Sequence, residues 1–171
     1  MVDARDVALA HRLADAAGAA ILPHFRRLEG VDVKADATPV TAADRGAERA
    51  MRALLAAERP GDGIVGEEFD DVAGAGGRTW VLDPIDGTKA FTAGKPTFVT
   101  LIALFEAGVP VLGVIDQPYL RERWVGHDGA AWLNGRPLAT RRGGDLARAV
   151  LSSTAPERSE EHTSELQSRM F

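Results

Sequence analysis

The chain has no cysteine, which removes disulfides, thiolate zinc sites, iron–sulfur clusters and a cysteine nucleophile together. Any metal must therefore sit on oxygen or histidine. Long apolar runs are also missing: the longest, Phe98 to Phe105, falls far short of a membrane span, and Asp3, Arg5 and Asp6 stand where a secretory signal would be apolar. A cytoplasmic location with no membrane partner is expected. No basic block is present either, since 20 Lys and Arg face 25 Asp and Glu for a net charge of −5, and nucleic acid finds no electrostatic footprint. Histidines number 4, and Ser152 and Ser153 sit in no G-x-S-x-G elbow, so a serine hydrolase has no support. What is there is a chain of 171 residues, 45% of them hydrophobic, enough for one sizeable core.

Val7, Ala10, Leu13, Ala14, Ala17, Ile21, Phe25 and Leu28 recur at helical spacing, which predicts an amphipathic helix over about 4–28 with Asp3 as N-cap and Pro23 kinking it or ending it early. A second helix is predicted from Ala42 to Arg59, capped by Thr41 and stopped by Pro60-Gly61. Val31 to Lys34 can form a short edge strand between them. After Gly63 the texture changes to short β-rich runs at Ile64–Gly66, Thr79–Asp83, Thr97–Phe105, Val109–Asp116, Arg123–Gly126 and Ala131–Leu133. The turns Glu106-Ala107-Gly108, His127-Asp128-Gly129 and Asn134-Gly135 are hairpin-length, so neighbouring strands should run antiparallel. Helices first and a meander after predict an α+β fold, two long helices packed on an antiparallel sheet. The Gly-rich stretch Asp71 to Arg78 reads as a mobile surface loop, and Trp124 and Trp132 as core residues.

The most informative segment is Trp80-Val-Leu-Asp-Pro-Ile-Asp-Gly-Thr88. Apolar strand residues deliver Asp83 to a strand end, and Pro84 keeps Asp83 extended while Ile85 and Asp86 swing round. Two carboxylates converge there; Asp83 can bridge two hard cations, Asp86 can hold one, and the Ile85 carbonyl can complete an oxygen ligand set suited to magnesium. Gly87 and Thr88 open a short helix, Lys89 to Ala93, whose exposed N–H groups suit a phosphate. The bland alternative is a polar turn with Asp86-Gly87 at its tip. Glu67 and Glu68 follow another strand and point to opposite sides of a pleat, so one can face a metal, unless both are simply solvated. Asp44 has capping-box spacing from Thr41, which explains it without chemistry.

In the order Lys34-x-Asp36-x-TPVT-x-Ala43-Asp44-Arg45, Gly66-Glu-Glu-Phe69, Trp80 to Thr88 and the strand FVTLIAL, these residues resemble the inositol monophosphatase superfamily. The resemblance runs from the first helix to about Ala155. It implies the N-terminal half of a layered α/β sandwich and hydrolysis of a small phosphate monoester by water activated by Mg2+. It further implies that Glu67, Asp83 and the Ile85 carbonyl hold one magnesium and Asp83 and Asp86 a second. Asp44 and Thr88 are implied to orient the attacking water, and the Gly87 and Thr88 N–H groups to bind the phosphate. Within the superfamily, DGTKAFTAGKP, GVPVLGVIDQPYLRERWVG and LNGRPLATR are most similar to the histidinol-phosphatase group of histidine biosynthesis. A homodimer is implied for the full-length protein.

The superfamily's later Trp-Asp pair is missing: Trp80, Trp124 and Trp132 are each followed by Val or Leu. Residues 1–157 are therefore expected to form an incomplete phosphatase domain, inactive by itself and with an uncovered sheet face. Residues 158–171 are expected to be a non-native or disordered tail, because RSEEHTSELQS resembles a translated sequencing adaptor. Three rival readings remain, of which one keeps the fold and changes the substrate to inositol phosphate, a sugar bisphosphate or a 3′-phosphonucleotide. A haloacid dehalogenase-type phosphatase would use Asp83 as nucleophile, though DPID has one residue too many between its acids; a non-catalytic metal-binding module would use the same acids structurally.

Overall fold

The structure, a computed structural model, describes residues 1–27, 31–33, 39–141 and 143–144, the side chains of 31–33 and 39–41 excepted. The chain divides into a unit Met1–Leu138 and a unit Ala139–Phe171, and every element named below lies in the first. The boundary near Glu157, the tail 158–171, Lys34, Asp36 and the Thr41 side chain lie outside the description.

Helix α1 spans Ala4–Ile21, and its N-cap Asp3 accepts the Arg5 N–H at 2.8 Å. It stops well short of residue 28 because Pro23 has no N–H to donate and its ring blocks the next turn. Phe25 is still buried, now from the turn that follows. Strands β1 (Val31–Val33) and β2 (Pro39–Thr41) form a small antiparallel ribbon, of which the sequence suggested only the first arm. Helix α2 runs Ala42–Glu58. Seven strands then form one sheet in chain order: β3 (Gly63–Gly66), β4 (Arg78–Asp86), β5 (Val99–Glu106), β6 (Val109–Gln117), β7 (Glu122–His127), β8 (Ala130–Leu133) and β9 (Arg136–Leu138), with the short helix α3 (Thr88–Thr92) between β4 and β5.

The meander is antiparallel from β4 onward, as the short turns require. Ala107, Asp128 and Asn134 each adopt positive φ and are followed by a glycine that does the same, the paired left-handed geometry that closes a tight hairpin. The first pair is the correction: β3 runs parallel to β4. The connection over 67–77 is long enough for a crossover, and the expected mobile loop is in fact pinned. Val72 and Ile64 exchange two backbone hydrogen bonds of 2.8 Å, and Gly74 lies so close to Gly63 that a Cβ would fall 2.2 Å from its nitrogen.

Both long helices pack on one face of the sheet. Leu9, Leu13, Ala17, Met51 and Leu55 meet Trp80, Leu82, Ile102, Leu104, Leu112 and Val114 in a single core. On the opposite face, Leu101, Ile115, Trp124 and Leu133 lie in one cross-strand row. Ile115 there is 45% exposed, and Trp124 is half-buried rather than part of the core. Among the described residues no helix is long and apolar enough to cross a membrane.

One end of this core is closed by charge. Asp6, on the buried stripe of α1, pairs at 2.8 Å with Arg59 beyond α2 and at 2.8 Å with Arg78 at the start of β4. Arg78 also reaches Glu106 at 2.9 Å, while Asp62 accepts the Trp80 indole N–H at 2.9 Å. Burial alone would raise the Asp6 carboxyl, but the hydrogen bonds and charges of Arg78 and Arg59 outweigh it and hold the group below the usual carboxylate range. Asp6→Asn is expected to cost about 2 kcal/mol, less than the loss of a fully buried pair because both arginines keep part of their surface in water. A depressed folded-state pKa contributes stability that is complete above the unfolded value and is lost as pH falls through the folded one. The difference in melting temperature between wild type and Asp6→Asn should therefore hold from neutral pH down to the ordinary value of 3.8 and close only below it; thermal denaturation across pH checks both.

Candidate functional site

The parallel register pairs Gly66 of β3 with Leu82 of β4, so the residues that follow, Glu67 just past β3 and Asp83 within β4, come side by side. Asp83 is 8% exposed. It is not the strand end expected from the sequence: β4 runs on to Asp86, with its register against β5 broken between Asp83 and Asp86. The break follows from Pro84, which has no N–H for the ladder. The freed carbonyls are taken up by hydroxyls instead. Thr100 donates to the Pro84 carbonyl at 2.7 Å, and Thr88 donates to the Ile85 carbonyl at 3.1 Å.

Beyond Asp86, which is exposed, Gly87 turns the chain at φ +88° and α3 begins at Thr88. The first free N–H groups of a helix point outward from such a turn. The turn is held from below by aromatic packing: Phe91 of α3 lies 5.0 Å from Phe98 and 5.5 Å from Phe25, ring centroid to centroid. Asp44 sits in the first turn of α2 and is only 2% exposed, which is not the position of a simple solvent-facing cap residue.

These groups share one electrostatic field. The Asp83 carboxyl is pushed up to about 9, first by burial, then by the charge of Glu67, the charge of Asp86, a hydrogen bond with Glu67, and the charge of Asp44. Its Oδ1 is buried without a hydrogen-bond partner. A buried carboxylate surrounded by acids, with an unsatisfied oxygen, is the donor chemistry of a hard divalent cation. The structure thus brings Glu67, Asp83, Asp86 and Asp44 into one neighbourhood, with Ile85 and Thr88 hydrogen-bonded beside them. It does not close them into a cage: among the described residues no three His, Asp or Glu side chains are grouped tightly enough to hold an ion. Mutual repulsion of uncompensated carboxylates favours such spacing.

One contributor escapes the sequence reading. Glu48 on α2 is wholly buried, accepting the Arg52 guanidinium at 2.7 Å and the Glu68 backbone N–H at 2.8 Å. The signal was available: Asp44 and Glu48 fall on the stripe of Ala43, Ala47, Met51 and Leu55, where a surface helix carries no acid.

The family described as the inositol monophosphatase family matches residues 3–171. The chain belongs to that family. It is 43% identical over 169 residues to the chloroplastic bifunctional phosphatase IMPL2 of Arabidopsis thaliana, covering 97% of this chain and 49% of that protein. It is 46% identical over 140 residues to the histidinol-phosphatase of Streptomyces coelicolor, covering 79% of this chain and 52% of that protein. Among solved structures, an inositol monophosphatase from Zymomonas mobilis superposes with a TM-score of 0.70 at 53% identity, over 84% of this chain and 56% of its own. The chain spans about half the length of the curated relatives it matches.

Gly87 is the position where geometry bars a side chain, since its φ is +88° and a Cβ would lie 3.3 Å from the Thr97 carbonyl oxygen. Gly87→Ala is expected to cost about 1–2 kcal/mol from the left-handed backbone alone, read as a lowered midpoint in urea denaturation.

Proposed function

We propose that this chain carries the cation- and phosphate-binding half of a magnesium-dependent phosphate monoesterase whose substrate is histidinol phosphate. The observation that carries the cation reading is Asp83, a buried carboxylate with an unpartnered oxygen, raised after burial by the acids Glu67, Asp86 and Asp44 among the described residues. In this reading Glu67, Asp83, Asp86 and the Ile85 carbonyl hold Mg2+. Bound there, the cation supplies charge neutralisation for the phosphoryl oxygens and a lowered water pKa.

The remaining chemistry belongs to the chain's own groups. The Thr88 hydroxyl commits its proton to the Ile85 carbonyl at 3.1 Å, so toward a water it acts only as an acceptor. The Asp44 carboxylate is an acceptor too. A water held by both offers its O–H groups to them and is left with a lone pair for phosphorus, the kind of orientation that lowers a barrier by pre-ordering. The proton released on attack goes to Asp44, and the ester P–O bond breaks as the new one forms, its oxygen leaving with the bonding pair and taking a proton from solvent to become the alcohol. Gly87 and Thr88 N–H groups bind the phosphate.

The choice of histidinol phosphate is supported by similarity to proteins named histidinol-phosphatase. A second reading, inositol phosphate, is favoured by the likeness to the Zymomonas mobilis inositol monophosphatase. Titration calorimetry with Mg2+ tests the site. Asp83→Asn, nearly isosteric and relieved of like charge, should remain folded yet bind Mg2+ weaker by more than about 100-fold, beyond the range typical of outer-shell changes; undiminished binding overturns the proposal. Phosphate release by a chain extended to the relatives' full length should be faster on histidinol phosphate than on inositol 1-phosphate, and the reverse order selects the second reading.

A further inference from the structure

A carboxylate with no exposed surface is an expensive way to fill a helix–sheet interface, since an aliphatic residue of similar volume is often as stable or more so. Glu48 is such a residue, and its hydrogen bonds tie α2 to the segment that carries Glu67. Its Oε2 accepts the backbone N–H of Glu68 at 2.8 Å. Its Oε1 holds Arg52 at 2.7 Å, and the other arm of Arg52 donates to the Phe69 carbonyl at 3.1 Å. The Phe69 ring lies over the guanidinium carbon of Arg52 at 5.8 Å, flanked by Arg49 at 5.6 Å and Arg45 at 5.7 Å.

Gly66 is shaped to the same device. A Cβ there would stand 2.0 Å from Glu48 Oε1 and 2.7 Å from Arg52 Nη2. Only glycine lets the carboxylate pass beneath the end of β3. Glu67 is thus held between two fixed points, Gly66 resting on Glu48 and Glu68 hydrogen-bonded to it.

We propose that Glu48 is a positioning residue for Glu67: clamped by Arg52 and admitted by Gly66, it fixes the backbone on both sides of Glu67 and so sets that carboxylate against Asp83 for cation binding. This inference rests on the metal reading above. Outer groups that orient metal ligands are worth about 10- to 100-fold in metal affinity. The folded 171-residue chain is titrated with Mg2+ in calorimetry as wild type, Asp83→Asn, Glu48→Gln, Gly66→Ala, and the double variant Gly66→Ala with Glu48→Ala. Asp6→Asn, on α1 where it pairs with Arg78 at the far end of β4, serves as a variant that lowers stability without touching the segment.

Glu48→Gln and Gly66→Ala should each weaken Mg2+ binding about 10- to 100-fold, while Asp6→Asn leaves it unchanged. The double variant removes the clash, so its melting temperature should recover toward wild type while its Mg2+ affinity does not. Amide exchange at Glu68 should speed up in Glu48→Gln, with the α2 amides unaffected. Recovery of affinity together with stability in the double variant means Glu48 only supports the fold, and overturns the proposal. So does Glu48→Gln binding Mg2+ as tightly as wild type while Asp83→Asn does not. If Asp83→Asn binds as well as wild type, the metal reading and this inference fall together.

Discussion

Parallel pairing of β3 with β4 is the constraint on which the rest of the molecule turns. Within an antiparallel meander the ends of successive strands alternate between the two edges of the sheet, and Glu67 would then lie at the opposite end from Asp83. The parallel register places Gly66 beside Leu82, so that Glu67, just past the end of β3, lies at the same end of the sheet as Asp83 in β4. That arrangement puts like charges together in a partly buried place, which electrostatics opposes. It persists because the pairing is secured elsewhere: Trp80, Leu82 and Ile64 are buried in the core, and the crossover loop is tied back by the bridge of Val72 to Ile64.

Much of this was legible in the sequence where a local rule sufficed. The apolar stripes of α1 and α2, the stop at Pro23, and the hairpin turns at Ala107-Gly108, Asp128-Gly129 and Asn134-Gly135 follow from spacing and from residues that tolerate positive φ. Acids near a strand end followed by a glycine turn pointed to the candidate site. The direction of β3 was not legible, because an apolar run such as Gly63-Ile-Val-Gly66 has no polarity of its own and only the crossover decides it. Strand β9 was missed for a different reason: Arg136, Pro137 and Leu138 are all exposed, and an edge strand without a buried face has no alternation to detect. The Gly-rich loop misled because glycine signals both freedom and close approach; Gly74 serves the second, packed against the backbone of Gly63.

The proline in the site segment shows how one residue shapes both backbone and chemistry. A strand of ordinary residues would have continued its ladder through positions 84 and 85, consuming their carbonyls. Pro84 breaks the register, and two carbonyls turn to hydroxyl donors, Pro84 to Thr100 and Ile85 to Thr88. A carbonyl with a single hydroxyl donor retains a lone pair. The same break lets Asp86 reach solvent while Asp83, three residues earlier, remains buried, so that two acids on one strand end differ in how much it costs to charge them.

The same difference in cost distinguishes the buried acids of the fold from one another. Burying a carboxylate is unfavourable unless a counter-charge or hydrogen bonds replace water. Asp6 meets Arg59 and Arg78, Glu48 meets Arg52, and Asp116 meets Arg123 at 2.7 Å. Arg59 and Arg78 come from outside α1 and Arg123 from the neighbouring strand, so those pairs join parts of the fold, whereas Arg52 stands one turn along α2 from Glu48. Asp83 departs from this pattern: among the described residues, the groups that raise its carboxyl besides burial are Glu67, Asp86 and Asp44, every one an acid. Among the described residues, Asp83 is thus a buried carboxylate whose acidic neighbours raise the cost of ionising it, the reverse of Asp6 beside its two arginines.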